Sequence, residues 1–396
     1  MAFVLSISKH RAMGGCHHAL GHTKTLLVMQ SSDLPEPAFL AVRGIDLAAG
    51  EDAALMMARG ESLALLDRYG AAARGVLRMI AGLRRPGSGE IVINGRRLQA
   101  TPAHRRGFGY VPANAGLIGF RDIAGNVAAP LAARGIAGKV RRGRVAAMLA
   151  MVGLAECAAR RPGELSPAER YRAALARALI ASPALLLLEE PDDGFAEPER
   201  RMLATLLRAG PAAPGVTTLL AARTPAAVFA LADRALVLHE GRIVQDGTPQ
   251  SLYDAPASLT AAIAMGEANI LDGVLEEDEN DIARLRLDNG ARVAGSLAER
   301  IAIGQRSRLM IRPERIAVAA IAAEELGEGA ISAVLRKVMP LGALTRLVVS
   351  LGAGGEIIVT RPASANLRGL QPGLEMSVAW SAAHARIFAA TPRDPT

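Results

Sequence analysis

With 396 residues, 51% of them hydrophobic, the chain is long enough for two or more domains, each with its own core. Its formal net charge of +8 is spread through the sequence instead of gathering in one run. Aromatics make up only 3%, which argues against nucleic acid as a partner because bases would find few rings to stack on. No apolar run is long enough to span a bilayer, so any membrane role is expected to be peripheral. Two distant cysteines, Cys16 and Cys157, offer no disulfide framework and fit a reducing compartment.

Residues 1–37 lack a consistent hydrophobic period. His10, Cys16, His17, His18 and His22 cluster there at spacings unlike a structural zinc site, and the segment reads as a disordered extension, or as sequence upstream of a start at Met29. Its apolar opening, Ala2–Ile7, precedes the first basic residue and is too short for the apolar region of a signal peptide. From Ala38, FLAVRGIDL (39–47) and GESLALL (60–66) read as strands separated by turn-rich sequence. A short loop from Asp67 leads into the helical run VLRMIAGL (76–83). Between Phe120 and Glu164 the pattern is mostly helical, with a basic cluster of Lys139, Arg141, Arg142 and Arg144 that reads as a solvated face or a partner surface.

From Glu169 to Ile180 the apolar positions recur at helical spacing, and Ser182-Pro183 ends the pattern. Leu185–Leu188 then form a short apolar run, as in a buried strand, that ends in Glu189-Glu190-Pro191. Two carboxylates where a parallel strand meets solvent suit metal–nucleotide chemistry, one placing a divalent cation and the other polarising a water. After Ser258 a helical connector, LTAAIAMGEANILDG (259–273), leads into alternating strands. ARLRLDNGARVAG (283–295), SRLMIRPERIAVA (307–319), TRLVVSLGAGGEIIVTRPA (345–363) and LEMSVAWSAAHARIFA (374–389) have the two-residue period and the Gly and Asp/Asn turns of a small β-barrel.

ELSPAERYRAALARALIASPALLLLEEP (164–191) resembles the signature helix and following strand of ABC transporter ATP-binding subunits, in which LSGGQ precedes an ALARAL helix and an LLLLDEP strand. The likeness extends through VLRMIAGLRRPGSGEIVINGRRL (76–98), GYVPANAGLIGFRDIAGNVAAPL (109–131) and LADRALVLHEGRIVQDGTPQSLYDAPAS (231–258). The remainder resembles the C-terminal TOBE, or OB-like, β-domain of importers for polyamines, ferric iron and sugars. Its markers are Gly266-Glu267-Ala268-Asn269, Arg312-Pro313-Glu314-Arg315, Leu341-Gly342, Thr345-Arg346 and Trp380. The resemblance implies an α/β, P-loop NTPase-type ABC core at 38–258 with a helical subdomain near 115–168, then a connector and TOBE-like β-domain at 259–396. It also implies ATP and Mg²⁺ as cofactors, transmembrane permease subunits as partners and a periplasmic solute-binding protein as an indirect one. The chain would act as a homodimer, or a heterodimer with an ATP-binding paralogue, in the cytoplasm on the inner face of the plasma membrane.

The family's reactive positions are mostly substituted. In its phosphate loop, G-x-x-x-x-G-K-[ST], the first Gly falls at Asp67, the second at Ala72, the Lys at Ala73 and the Mg²⁺-holding Ser at Arg74, with Gly75 next; the inner Gly70 is in place. Asp67 sets a carboxylate near the polyphosphate, Ala72 adds a Cβ where backbone should approach closely, and Ala73 deletes the principal positive charge. The glutamine that senses the γ-phosphate falls at Ala113, the signature glycines at Pro167 and Ala168, the switch histidine at Arg223 and the dimer-loop aspartate at Ala196. Ser166 of the signature and Glu190 at the catalytic-base position remain, and Glu189 replaces the Mg²⁺-directing Asp. Phe39 is the ring nearest the adenine-stacking position.

These substitutions predict weak ATP binding, argue against Mg²⁺ and predict hydrolysis that is absent or very weak. The helix after the loop is still expected to offer N–H groups to an anion, flanked by Arg68 and Arg74, an opening for nucleotide binding without hydrolysis. One reading is therefore a pseudo-ATPase with a scaffold or regulatory role in an uptake system of the polyamine, iron or sugar class. The alternative is a working transport ATPase, which the family favours and the motifs oppose. A decaying gene product is the third reading.

Overall fold

The computed structural model describes residues 38–44, 54–191, 195–208, 215–279, 282–320, 329–365 and 369–390. The expected extension at 1–37, with its His/Cys cluster, lies outside them. In chain order the first half runs β1 (Leu40–Arg43), β2 (Leu55–Met57), β3 (Ser62–Leu66), α1 (Ala71–Ala81), β4 (Glu90–Ile93), β5 (Arg96–Arg97) and β6 (Gly109–Val111). Three helices follow, α2 (Ile123–Ala133), α3 (Gly138–Met151) and α4 (Pro167–Leu179), then β7 (Leu185–Glu189), α5 (Glu197–Arg208), β8 (Thr217–Ala222), α6 (Pro225–Leu231), β9 (Arg234–His239) and β10 (Arg242–Gly247). Short helices α7 (Pro249–Asp254) and α8 (Leu259–Ala264) connect to the second half.

The main sheet has the order β10-β9-β3-β8-β7-β6, parallel throughout except for β10 at one edge. Its strands read as continuous apolar runs because both faces are covered. Alternate residues point to opposite sides, and two separate cores divide them. Leu186, Leu188, Ala64, Leu66, Leu220 and Ala222 join the core under α4 and the helical subdomain, whereas Leu185, Leu187, Leu63, Leu65, Leu219 and Ala221 join the core under α1. That second core is closed by a small antiparallel sheet, β2-β1-β4-β5, whose strand β2 the sequence reading did not anticipate.

Register then places the functional edge. Leu66 lies level with Ala222, and Glu189 with Ala221, so β3, β8 and β7 end together. Asp67, Arg223 and Glu190 are the next residues of these three neighbouring strands. The Asp67 N–H donates to the Ala222 carbonyl at 2.9 Å and the Glu190 N–H to that of Ala221 at 2.9 Å, which prolongs the sheet by one residue. In parallel sheets of this kind the crevice beyond the carboxyl ends is where ligands are held.

The second half comprises β11 (Asn269–Glu279), β12 (Ile282–Leu287), β13 (Arg292–Leu297), β14 (Arg306–Ile311), β15 (Ala317–Ala319), β16 (Ile331–Pro340), β17 (Leu344–Ser350), β18 (Glu356–Pro362), β19 (Glu375–Ala379) and β20 (Ala385–Ala389). The expected small barrel is present as β11-β12-β13-β20-β14, and a five-stranded sheet, β15-β19-β16-β17-β18, stands beside it. One core serves both: Leu285 and Leu309 from the barrel share it with Leu347 and Val359 from the sheet. Period-2 alternation explains the barrel wall, since in β12 Ala283, Leu285 and Leu287 are buried while Arg284 and Arg286 face out. Among the described residues, no helix is long and apolar enough to cross a membrane.

Candidate functional site

The loop between β3 and α1 is closed on itself. The Asp67 side chain, 6% exposed, turns back so that its Oδ2 accepts the N–H groups of Ala72 and Ala73 at 2.9 and 3.1 Å, while its Oδ1 accepts that of Tyr69 at 3.1 Å. The donors expected to face an external anion are thus donating to a carboxylate of the chain itself, a correction to the opening anticipated from the helix N-terminus. Gly70 turns the loop at φ +72°, a conformation that suits glycine, and a Cβ there would come within 3.0 Å of Glu190 Oε1. The Ala73 methyl, in the lysine position, is fully buried in the core beneath α1. Gly75 follows within the first turns of α1, where a Cβ would lie 3.7 Å from Arg84 Nη1, and Arg68 and Tyr69 are exposed at the loop's tip.

The two acids at the end of β7 are both engaged by arginines. Glu189, 1% exposed, receives Arg78 Nε at 2.9 Å and Nη2 at 3.4 Å, the Tyr110 hydroxyl at 2.6 Å and the Ala113 N–H at 3.3 Å. Hydrogen bonding to Glu189 raises the pKa of Arg78 further above its already high value. Burial, followed by the bond to Glu189, pushes the Tyr110 phenol up to about 12. Glu190 sits at φ +45° between Arg74, whose Nη1 is 3.4 Å from Oε1, and Arg223, whose Nη1 is 4.0 Å from Oε2. Arg74 also donates through Nε to the Gly70 carbonyl at 3.0 Å. Neither ion pair of Glu190 has good hydrogen-bond geometry, and its buried Oε1 has no hydrogen-bond partner.

The structure therefore brings together Gly70, Ala73, Arg74, Ala113, Glu189, Glu190 and Arg223 at the sheet edge where Asp67 closes the loop. This donor set does not fit a Mg²⁺–phosphate group. Asp67 takes the Tyr69, Ala72 and Ala73 N–H groups that a phosphate would need, Glu189 is engaged on both oxygens, and the one carboxylate oxygen without a hydrogen bond, Glu190 Oε1, has the Arg74 guanidinium beside it where a metal would have to sit. Arg78 and Tyr110 are functional neighbours that sequence reading missed. Arg78 carried one usable signal, since it lies four residues after Arg74 and hence on the same helix face; Tyr110 carried none, because only strand order puts it beside Glu189.

Ser166 belongs elsewhere. It caps α4, its Oγ accepting the Glu169 N–H at 3.2 Å while Glu169 Oε2 accepts the Ser166 N–H at 2.8 Å. Pro167 supplies the first helical residue, Ala168 is buried, and the helix reaches the acids through the Tyr171 hydroxyl, which donates to the Glu189 carbonyl at 3.4 Å. Ala196 immediately precedes α5 and donates its N–H to Glu199 Oε2 at 2.8 Å. Phe39, nearest the adenine-stacking position, is 2% exposed with Arg59 over its ring at 4.9 Å, so it is core and not a platform. A cleft of about 870 Å³ lies far from this chemistry, between barrel and sheet of the second half; its Arg284 and Arg292 pair with Glu277 and Glu276. Among the described residues no His, Cys, Asp or Glu cluster could hold a metal ion.

Comparison with known proteins agrees with this architecture. Residues 51–193 match the ABC transporter family and residues 309–388 the TOBE domain. The chain is 32% identical over 346 residues to the spermidine/putrescine import ATP-binding protein PotA of Rubrobacter xylanophilus, covering 87% of this chain and 90% of that one. It is 30% identical over 349 residues to PotA of Trichodesmium erythraeum, with coverage of 86% and 88%. It is 36% identical over 301 residues to the Fe(3+) ions import ATP-binding protein FbpC of Pseudomonas fluorescens, with coverage of 73% and 79%. Domain order and identity along most of both lengths agree, and the chain belongs to the family of ABC importer ATP-binding subunits that carry a C-terminal TOBE domain.

Proposed function

We propose that this chain is a non-hydrolysing subunit of an uptake system, with a scaffold or regulatory role beside transmembrane permease subunits. The observation that carries the reading is the engagement of Glu189 by Arg78, Tyr110 and the Ala113 N–H, together with the placement of Glu190 between Arg74 and Arg223. A general base needs a positioned water and a metal-bound phosphate to act on, and the Glu190 oxygens lie instead beside the guanidinium groups of Arg74 and Arg223. The relatives are polyamine and ferric-iron import subunits, which supports a polyamine or iron cargo; sugar is the third class compatible with the fold. Location on the cytoplasmic side of the membrane and indirect service to a periplasmic solute-binding protein follow from the same reading.

Pairing is with a second copy or with an intact paralogue. The decisive experiment measures Mg²⁺-dependent ATP hydrolysis and ATP stoichiometry for the purified chain, alone and with any co-encoded paralogue. The expected result is a rate no higher than that of Glu190→Gln, with no ATP bound by a homodimer and at most one per heterodimer. A Mg²⁺-dependent rate clearly reduced by Glu190→Gln would establish a working transport ATPase instead.

A further inference from the structure

The same loop carries a more specific message in the geometry of Asp67 and Arg74. Helix α1 has eleven residues, so its N-terminus concentrates partial positive charge on backbone N–H groups, the ordinary cradle for an oxyanion. In this chain a carboxylate already lies in the cradle, 6% exposed and held by the N–H groups of Tyr69, Ala72 and Ala73. From the first turn of the same helix the Arg74 guanidinium spans from the Gly70 carbonyl, at 3.0 Å, to the neighbourhood of Glu190 Oε1, at 3.4 Å. A cation thus sits between the loop and the strand-end acid. The two substitutions that look most damaging are complementary: one supplies a negative group where donors converge, the other a positive group where acceptors converge.

We propose that Asp67 and Arg74 are an internal stand-in for a phosphate and its counter-cation, holding the loop in its anion-filled conformation without any ligand. The inference deepens, and rests on, the reading of the chain as a non-hydrolysing subunit. Its consequence is that loop order, and any assembly that depends on it, is independent of phosphate compounds. An external anion could enter only by displacing Asp67, which is tethered to the same backbone and therefore present at high effective concentration.

The test uses the full chain, inorganic pyrophosphate as the probe and thermal melting with amide hydrogen exchange as the readouts. The wild type should show no change in melting temperature with millimolar pyrophosphate. Asp67→Gly should melt lower by about 2–4 °C and regain that loss when pyrophosphate fills the vacated cradle. Asp67→Asn keeps the volume but loses the charge, so exchange of the Ala72 and Ala73 amides should rise about tenfold, with little recovery on adding the anion. Stabilisation of the wild type by pyrophosphate, or unchanged exchange in Asp67→Asn, would overturn the proposal; the second result decides the matter even if Asp67→Gly fails to fold. Mg²⁺-dependent ATP hydrolysis, measured on the same protein preparations without pyrophosphate, separates the two readings. Turnover by the wild type removes the functional proposal, whereas pyrophosphate binding without turnover removes only the stand-in.

Discussion

Glu189 is buried in a sheet edge, where a charged carboxylate without partners would cost several kcal/mol, and it is answered by Arg78 from α1, Tyr110 from β6 and the Ala113 N–H from the loop after β6. Tyr110 is the most testable member. Tyr110→Phe removes the bond to a charged acceptor without changing the ring, and a loss of about 1–2 kcal/mol is expected in denaturant unfolding. The pH dependence has a definite sign. A phenol ionises near about 10 in an unfolded chain, whereas Tyr110 is pushed up to about 12 by burial and by Glu189. The folded protein holds that proton more tightly, so the contribution is fully present below the unfolded value and disappears as pH rises through the folded one. Ultraviolet titration should accordingly lose one late-titrating phenol in Tyr110→Phe, and a variant as stable as wild type at neutral pH would contradict this account of Glu189.

Helix α4 illustrates how an element can retain a family motif for a local reason. Ser166 and Glu169 bond reciprocally across the first turn, Pro167 occupies a position whose N–H would be unused, and Glu169 lies where the helix dipole favours an acid. The Ser166 backbone bond is the first cause lowering the Glu169 pKa, so this cap is complete above the ordinary glutamate range and weakens as pH falls. Ser166→Ala should cost about 1 kcal/mol, and Ser166→Asp should restore most of it. Melting at neutral pH measures both, and a neutral alanine variant would show that tertiary packing alone holds the helix start. This helix and β7 were legible in sequence: spacing from Glu169 to Ile180 predicts a helix observed at Pro167–Leu179, and the four leucines of β7 are all fully buried.

At the scale of the molecule, the two halves are joined through Arg312, which follows β14 and is 3% exposed. It donates to the carbonyls of Ala262, Gly266 and Glu267 at 2.9–3.1 Å and of Tyr253 at 3.3 Å, and lies over the Tyr253 ring at 4.2 Å. Burial lowers its pKa, and its Nε is left without a hydrogen-bond partner, yet the carbonyls at the end of α8 form a ready-made acceptor group for a planar, forked cation. Arg312→Met leaves those carbonyls unpaired and should cost about 2–3 kcal/mol. Calorimetry should then separate one transition into two, and Arg312→Lys should not restore the single transition because a point charge cannot reach four acceptors. A single unshifted transition in Arg312→Met would mean that other contacts hold the halves together.

What the sequence determined by itself was local or periodic. Helical spacing, the buried leucine run and the strand alternation of the second half follow from bonds between near neighbours and from which side of an element is apolar. The substitutions at Asp67, Ala73, Arg74, Ala113 and Arg223 were equally plain, because each is a matter of residue identity. Tertiary structure alone decided what those substitutions do. Arg78 and Glu189 are 111 residues apart and Tyr110 and Glu189 are 79 apart; they meet because β6 and β7 are neighbours in a parallel sheet and α1 packs on one face of it. The division of the second half into a barrel and a companion sheet around one core likewise depends on strand partners chosen at long range. The direction of the Asp67 carboxylate was equally invisible, since its choice between solvent and the loop's own N–H groups depends on the backbone turn at Gly70. Residue identity sets which charges are present; only the register of the sheet sets which of them neutralise one another.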